Sequence, residues 1–353
     1  MSTSRDRTVA VFGATGHTGR FVVDELLRRG MVPVAVARDS AKLAASGFRE
    51  RGIVTRCASV DDPASLDQAL QGVAAVINCA GPFLETADGL AAAAVRSGVH
   101  YLDVSAEQPS ARVTLEKFDG PAREAGVFVL PAMGFYGGLA DLLATAAIGD
   151  WISGDGMRGD EVRVDEIRVG IALNSWHPTE GTRITGARNT AQRLVVTDGK
   201  LVPLAQPAPQ VSWDFPEPFG RQDAIAVPFS EVVLMTQHLN IMQLHTYLNL
   251  SALQDIRDPN TPPPAASDES GRSSQVFLVE VSARRGGNTR RVVAQGRDIY
   301  AFTAPLVCEA VARILDGKAR GGGGAHAPGA VFDARSFLDA LGPELICSFG
   351  ASE

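Results

Sequence analysis

The sequence predicts a doubly wound α/β domain with a parallel sheet and an inserted α+β domain built on an antiparallel sheet. Up to residue 130, short apolar runs rich in Val, Ala and Ile alternate with amphipathic stretches of helical length, which is typical of βαβ units. Beyond residue 160, several stretches alternate polar and apolar residues, which favours antiparallel strands. We place the units at 1–135, 136–300 and 301–353, the last being a helical segment that returns to the first domain.

The first unit is predicted to contain strands and helices in strict alternation. The predicted strands are residues 8–13, 32–38, 53–58, 74–81, 100–105 and 127–132. The predicted helices are residues 16–29, 40–51, 63–70, 87–97 and 110–125. Ser40 and the Asp62-Pro63 pair are helix start signals. A further helix, 139–148, leads into the Gly-rich stretch 149–161, which we interpret as a domain boundary.

The second unit is predicted from alternation and turn signals. Residues 161–173 alternate as a strand does, and two hairpins are centred on Asp198-Gly199 and Gly286-Gly287. One helix is expected at 180–191 and another at 301–317. The apolar stretch 232–250 predicts core, with a dimer interface or an apolar pocket as alternatives. Segment 258–274 has little to bury and is expected to be mobile or disordered, and the tetraglycine 321–324 is expected to be a flexible link.

Charge and composition narrow the classes of function. The chain has 33 basic and 40 acidic residues, a formal charge of -7, which argues against binding to nucleic acid or to an anionic membrane surface. Its 4 cysteines are scattered, so neither a metal site nor a disulfide framework is expected. The first residues lack an apolar signal core and no run is long enough to span a membrane. A cytoplasmic protein with a small-molecule partner is the expectation.

A Gly-rich turn is the most informative motif. It follows an apolar strand and opens a helix, as Gly13-Ala14-Thr15-Gly16-His17-Thr18-Gly19. Gly13 permits the tight turn, Gly16 lets the backbone approach a pyrophosphate, and Gly19 allows close packing of helix on strand. The sequence therefore predicts a dinucleotide site in which Gly13, Thr15, Gly16, His17, Thr18 and Gly19 take part.

The choice of dinucleotide follows from the end of the second strand. Arg38 stands where NAD-preferring sites carry an acidic residue, and a guanidinium suits the 2′-phosphate of NADP. The alternative is that Arg38 is a solvated surface residue and Asp39 accepts from a ribose 2′-hydroxyl. We predict NADP(H).

Two later strand ends are expected to complete the cofactor site, because ligands of open α/β sheets lie outside the carboxyl ends of the strands. Ser59 and Asp61 are expected near the adenine. The nicotinamide ribose is expected beside Asn78, Cys79, Ala80, Gly81, Pro82 and Phe83. For Cys79 an ordinary buried role is favoured over that of a nucleophile, because no base is identifiable beside it.

At this point the chain resembles the saccharopine dehydrogenase-like family, which includes trans-acting enoyl reductases of lipid synthesis. The resemblance rests on GATGHTGRFVVDELLRRG, NCAGPF, the stretch from Tyr101 to Glu107, and GFYGGLADLLA. It implies an NADP-binding Rossmann domain, with Gly13, Gly16, Gly19 and Arg38 on the cofactor and 78–83 bordering the nicotinamide. It also implies an inserted domain that binds substrate and dimerises, and hydride transfer to a C=N or C=C bond. A homodimer is therefore expected.

The proton donor is harder to assign. None of the 4 tyrosines is followed four residues later by lysine, so the donor unit of short-chain dehydrogenases is absent. Tyr136 stands where members of the resembled family commonly have Asp, and we predict Tyr136 and His177 as catalytic, against the alternative that each is merely structural or solvated. Asp103, Ser105 and Glu107 orient substrate or cap a helix, and capping is favoured. For substrate binding we predict Ser105, Phe135, Trp176 and Arg183.

The predicted function is an NADPH-dependent reductase that delivers hydride to the C=N bond of a small organic molecule. Reduction of an activated C=C bond is the closest alternative. A protein that senses NADP without turnover, or a scaffold whose second domain mainly dimerises, are rivals from other classes.

Overall fold

The computed structural model describes residues 7–155 and 161–351. Its first part alternates strands and helices: β1 (Thr8–Phe12), α1 (His17–Arg28), β2 (Val32–Ala37), α2 (Ser40–Ala44), β3 (Val54–Cys57), α3 (Pro63–Ala69), β4 (Ala75–Asn78), α4 (Phe83–Arg96), β5 (His100–Asp103), α5 (Gln108–Ala125) and β6 (Phe128–Leu130). Each predicted strand is confirmed and ends one to three residues before its predicted end. Helix α2 is shorter than predicted, whereas α4 begins earlier, at Phe83.

Local sequence explains where these helices begin and end. The carboxylates of Asp39 and Asp62 each accept two backbone N–H groups at the starts of α2 and α3. Gly126 ends α5 in the left-handed conformation that glycine adopts without a steric cost. A side-chain cap is absent from α1, whose N-cap is Gly16.

The second part begins after a π-helical turn, Phe135–Leu139. It contains α6 (Ala140–Asp155), β7 (Arg163–Val164), β8 (Glu166–Leu173), α7 (Glu180–Arg188), β9 (Leu194–Thr197), β10 (Lys200–Pro203), β11 (Gln210–Asp214), β12 (Arg221–Ala226), α8 (Glu231–His238), β13 (Asn240–Ile241), β14 (Gln243–Asn249), α9 (Leu250–Arg257), β15 (Val276–Arg285) and β16 (Asn288–Arg297). Residues 156–160 of the predicted boundary lie outside the described residues. Both predicted hairpins are present, β9–β10 and β15–β16.

The C-terminal part contains one long helix and several short elements. They are α10 (Ile299–Leu315), β17 (Gly324–Ala325), α11 (Pro328–Val331), α12 (Ala334–Ala340) and β18 (Leu345–Ala351). Ion pairs of Arg29 with Glu25 and Glu309 join α1 to α10.

Seven strands form the first sheet, in the order β17-β6-β5-β4-β1-β2-β3, and all of its pairs are parallel. The strand order reverses between β1 and β4, where Phe12 lies beside Asn78. In doubly wound sheets this reversal opens a crevice at the carboxyl ends of the strands. The predicted Rossmann-type α/β class is confirmed.

The second sheet is mixed rather than purely antiparallel, which corrects the prediction. Strand β14 runs parallel to β8, with Leu244 beside Ile167, while β15 pairs antiparallel to β8 on its other side. A parallel pair needs a long crossover, and the hairpins and helices between β8 and β14 supply it. The alternation of polar and apolar residues within one strand does not reveal whether the neighbouring strand runs parallel or antiparallel to it.

The tetraglycine is not a free link. The amide of Gly324 donates to Val127 O, and β17 adds a seventh strand to the first sheet. A Cβ on Gly323 would lie 3.0 Å from Val127 backbone atoms, and one on Gly324 would lie 2.6 Å from His326 Nε2. Glycine is therefore required by close approach of the backbone. The expected helical C-terminus also contains a strand that was not predicted, β18, which pairs with β16.

Segment 258–274 has no helix or strand, as the loop interpretation predicted, and it has defined contacts. The Arg183 guanidinium donates to the carbonyls of Asp258 and Thr261. Ion pairs of Arg297 with Asp268 and of Arg272 with Glu344 hold the rest of the segment against the second sheet and the C-terminal part.

Buried side chains form a core that is continuous between the two sheets. Val22 and Leu26 of α1, Leu142 of α6, Val279 of β15 and Val307 of α10 belong to one cluster. The stretch 232–250 contributes buried residues to it, as the core interpretation predicted. No helix among the described residues is both long and apolar enough to cross a membrane.

Candidate active site

The Gly-rich turn lies at the reversal point of the first sheet. Gly13 has a φ of 81°, and a Cβ there would lie 2.9 Å from Ala80 N. A Cβ on Gly19 would lie 2.3 Å from Gly13 O, so α1 approaches β1 closely only because this residue is glycine. With Gly16 as N-cap, no side chain covers the first amides of α1. These amides and the helix dipole fit a pyrophosphate.

Arg38 and Asp39 follow β2 and differ in what they contact. The Asp39 Oδ1 atom accepts from the amides of Ala41 and Lys42, both at 3.0 Å, and the bond from Lys42 leads the interactions that lower the pKa of Asp39. Asp39 therefore caps α2. The Arg38 side chain is exposed, and no hydrogen bond to its guanidinium occurs within the described ranges, so it is accessible to a 2′-phosphate.

Ser59 and Asp61 lie just after β3, next to the end of β2. The Ser59 hydroxyl contacts Asp61 Oδ2 at 3.3 Å, and the Ser65 hydroxyl accepts from the Ser59 amide. The pair forms a polar rim on the adenosine side of the reversal point. Their contact with adenine stays a prediction.

The turn after β4 is held by Asn78. Its buried side chain donates to Thr86 Oγ1 and Tyr101 Oη and accepts from the Ala80 amide. Asn78 thus shapes the turn from inside rather than facing a ligand. Burial raises the pKa of Cys79, so this thiol stays protonated, as the ordinary buried role predicts.

A cavity of about 270 Å³ lies between this turn and the second part of the chain. Cys79, Gly81 and Phe83 line it from the first domain. Helix α7 closes over the turn, because a Cβ on Gly81 would lie 2.8 Å from Thr185 Oγ1. The predicted nicotinamide position therefore opens into a partly open cavity whose far wall comes from the second part.

Tyr136 lines this cavity from the π-helical turn. Its ring stacks on Phe229 with centroids 4.2 Å apart and faces Trp176 at 5.2 Å. Its hydroxyl is buried and has no hydrogen-bond partner among the described residues. Burial raises the pKa of Tyr136 well above its usual value, so the phenol stays neutral and its unpartnered O–H can donate a hydrogen bond to a ligand.

The structure places His177 outside the cavity lining, which corrects its prediction as catalytic. Its neighbour Trp176 faces inward instead. The Trp176 amide donates to Asp255 Oδ2 at 2.9 Å, which fixes this turn of the loop.

Tyr300, at the start of α10, is a cavity residue that sequence reasoning missed. The Trp176 Nε1–H donates to its hydroxyl at 3.1 Å, and the Thr182 hydroxyl lies 3.0 Å away. Burial raises the pKa of Tyr300, while the bonds to Thr182 and Trp176 act in the opposite direction. The Asp298 cap was a local signal for the helix start, but nothing local placed Tyr300 at the cavity.

The predicted substrate residues divide into two groups. Phe135 and Trp176 line the cavity. Ser105 is buried behind it, where its hydroxyl accepts from the Glu107 amide and its carbonyl accepts from the Ser230 hydroxyl. Arg183 lines a neighbouring cavity instead, so neither Ser105 nor Arg183 faces the predicted nicotinamide position.

The acidic residues after β5 are mainly structural. Asp103 accepts from the amides of Ser105 and Ala132 and from the Tyr101 hydroxyl. Glu107 accepts from the amides of Phe83 and Leu84 at the start of α4, so it caps that helix rather than the one that follows it. Burial raises the pKa of both carboxyl groups. Within the described ranges there is no cluster of three metal-ligating side chains.

The strand order and the Gly-rich turn define a dinucleotide-binding protein of the Rossmann class. Residues 9–130 match the family model described as "Saccharopine dehydrogenase NADP binding domain". Through this domain the chain is similar to saccharopine dehydrogenase-like oxidoreductases, and its cofactor is NADP(H). The predicted resemblance to this family and the predicted cofactor are both confirmed.

Curated relatives match part of the chain. The "Saccharopine dehydrogenase-like oxidoreductase" of Rattus norvegicus is 30% identical over 154 residues, 38% of this chain and 35% of the relative. The "Lipid droplet localized protein" of Caenorhabditis elegans is 29% identical over 146 residues, 38% of this chain and 34% of the relative. The matches thus span about a third of the relatives' length.

A solved structure extends the likeness in fold to nearly the whole chain. The saccharopine dehydrogenase (L-Glu forming) of Saccharomyces cerevisiae has a TM-score of 0.65 over 98% of this chain and 100% of that chain, at 14% identity. The second part of the chain therefore shares the architecture of that enzyme, while its side chains differ.

Proposed function

We propose that the protein is an NADPH-dependent reductase that reduces the C=N bond of a small organic substrate. The observation that carries the proposal is the cavity of about 270 Å³ that Cys79 and Gly81 border on the predicted nicotinamide side and Tyr136 and Tyr300 border on the other. NADPH, when bound, supplies the hydride. The chain must then orient the substrate, exclude water and supply a proton.

Aromatic walls serve the first two tasks. Phe135, Tyr136, Trp176 and Phe229 surround one side of the cavity with rings that contact one another. Such walls hold a planar unsaturated group and keep water away from the reacting atoms. They suit an imine carbon and also an activated alkene, so enoyl reduction is the second candidate.

Tyr300 is the proton source in this proposal. A general acid works well when its conjugate base is stabilised. A Tyr300 phenolate would accept hydrogen bonds from Trp176 Nε1 and the Thr182 hydroxyl. A Tyr136 phenolate would have neither, so the unpartnered Tyr136 hydroxyl is better suited to donate a hydrogen bond that holds and polarises the substrate.

Oxidation of NADPH by the purified protein, measured against matched panels of cyclic imines and enones, tests the proposal. Turnover confined to imines supports it, and turnover confined to enones supports the second candidate. NADPH binding without oxidation in either panel would contradict both and would favour a sensor. Homodimer formation is also proposed, and light scattering of the same sample measures it.

A further inference from the structure

A second cavity, of about 450 Å³, adjoins the first. Thr182, Gly186, Arg193, Val227, Leu253 and Ile256 line both cavities. A ligand seated in the first can therefore extend into the second past the side of α7. Much of the second cavity is apolar, with Leu204, Ala208 and Ile225 among its lining residues.

The charged residues that line the second cavity all carry the same sign. They are Arg183, Arg193 and Arg257, and no Asp or Glu lines it among the described residues. The chain as a whole has a formal charge of -7, so a cavity lined by three arginines and no acidic residue contrasts with the net negative charge of the protein. Neighbouring like charges repel, and an anionic ligand would relieve that repulsion.

Two of these arginines are held in place by backbone oxygens. Arg183 donates to the carbonyls of Asp258 and Thr261 through one nitrogen, and Arg193 donates to the Pro228 carbonyl through Nη1. Each keeps further N–H groups for a ligand. Arg257 is exposed at the end of α9 and makes no hydrogen bond or ion pair within the described ranges.

Nearby carboxyl groups are committed elsewhere. Glu231 interacts electrostatically with Arg193, but it is fully buried and accepts from the Phe229 amide and the Thr246 hydroxyl. Asp255, two residues before Arg257, accepts from the Trp176 amide. Neither lines the second cavity.

We propose that the second cavity binds the acidic end of an elongated amphipathic substrate, a carboxylate or phosphate joined by an apolar chain to the reducible group in the first cavity. The inference rests on the proposed function and narrows its substrate class. Guanidinium groups bind both anions in bidentate fashion, while the apolar wall accepts the chain. A polar substrate with several charges would instead place charged groups against this apolar wall.

Titration calorimetry with octanoate, octyl phosphate and 1-octanol tests the inference on the full chain, with and without NADP. Because a charge-assisted pair strengthens binding, octanoate or octyl phosphate should bind at least about tenfold more tightly than 1-octanol. The stronger of the two anions identifies the acidic group. Equal affinity of all three probes would overturn the inference.

Variants of residues that line the second cavity test whether the anion binds there. Arg257→Gln should reduce the preference for the anion several-fold, and Ala208→Glu should abolish it, because Ala208 lines only the second cavity. Arg112→Gln, which removes an exposed charge on α5, is the matched control and should leave the preference unchanged. A preference that survives both cavity variants would overturn the inference.

NADPH affinity and imine turnover of the same preparations separate this inference from the proposed function. Loss of the anion preference in a protein that still oxidises NADPH would refute only the substrate class. An anion preference in a protein that does not bind NADPH would refute only the reductase.

Discussion

The rings of His17 and Tyr300 meet edge to face, with centroids 5.6 Å apart. His17 belongs to the Gly-rich turn and Tyr300 to α10, so the cofactor turn is in direct contact with the wall of the cavity. Burial lowers the pKa of His17, which keeps the imidazole neutral near pH 7. Its buried Nε2 has no partner among the described residues. Movement of the turn upon cofactor binding would therefore be transmitted to Tyr300.

The two cavity tyrosines are expected to respond differently to loss of the hydroxyl. Tyr300→Phe should lower kcat by about 100-fold or more, the usual contribution of a general acid, with NADPH affinity preserved. Tyr136→Phe should mainly raise KM. Tyr247→Phe, on β14 outside both cavities, is the matched control. Steady-state kinetics in which Tyr136→Phe alone abolished turnover would reverse the two assignments.

Arg38→Gln should lower affinity for NADPH by about tenfold to a hundredfold, because it removes charge-assisted bonds to the 2′-phosphate. Affinity for NADH should be unchanged. Lys42→Gln, in α2 near the same strand end, is the control for a general loss of positive charge. Calorimetric titrations with NADPH and with NADH measure the two affinities. An equal loss of affinity for both nucleotides would contradict the placement of Arg38 at the 2′-phosphate.

Gly19→Ala should destabilise the fold by about 1–3 kcal/mol and weaken NADPH binding, since its Cβ would lie 2.3 Å from Gly13 O. Gly149→Ala in α6 should instead stabilise it by about 0.5–1 kcal/mol, because no atom from outside its own stretch of helix lies within 4 Å of the added Cβ. Urea unfolding measures both effects. Equal stabilities of the two variants would show that α1 tolerates a shift away from β1.

Glu231→Gln should flatten the pH dependence of stability. Burial raises the pKa of Glu231 from 4.5 to about 7, so the folded protein keeps a proton that the unfolded chain releases. The stabilisation of the fold that comes from this retained proton is complete below pH 4.5 and is lost as pH rises to about 7. The difference in unfolding free energy between the variant and the wild type should therefore shift in favour of the variant by on the order of 2–3 kcal/mol between pH 4.5 and 8. A constant difference in unfolding free energy across this range would contradict the assignment.

The first domain could be predicted because its signals are local. A glycine at residue 13 or 19 is required by the geometry of one turn, and each strand is followed within a few residues by a cap or turn signal. Asp39 shows the limit of such reasoning, because the same carboxylate suits a ribose and a helix cap, and only coordinates show that it caps α2.

The far wall of the cavity could not be predicted in the same way. Trp176, Thr182 and Tyr300 come from separate segments, and the hydrogen bonds among them depend on how those segments pack. His177 and Trp176 are adjacent in sequence but only Trp176 lines the cavity, which composition does not reveal. The tetraglycine was misread for a related reason, since glycine serves close backbone approach as well as flexibility.

After β16 the chain connects the two parts of the molecule. It contacts α1 and β6 and then returns to pair β18 with β16. The C-terminal segment therefore contributes a strand to each of the two sheets. Helix α7, in contrast, has no buried residue and is tied to α4 by the exposed pair of Arg188 and Glu85. Because Thr182 and Gly186 of this helix line both cavities, a displacement of α7 would open both of them to solvent.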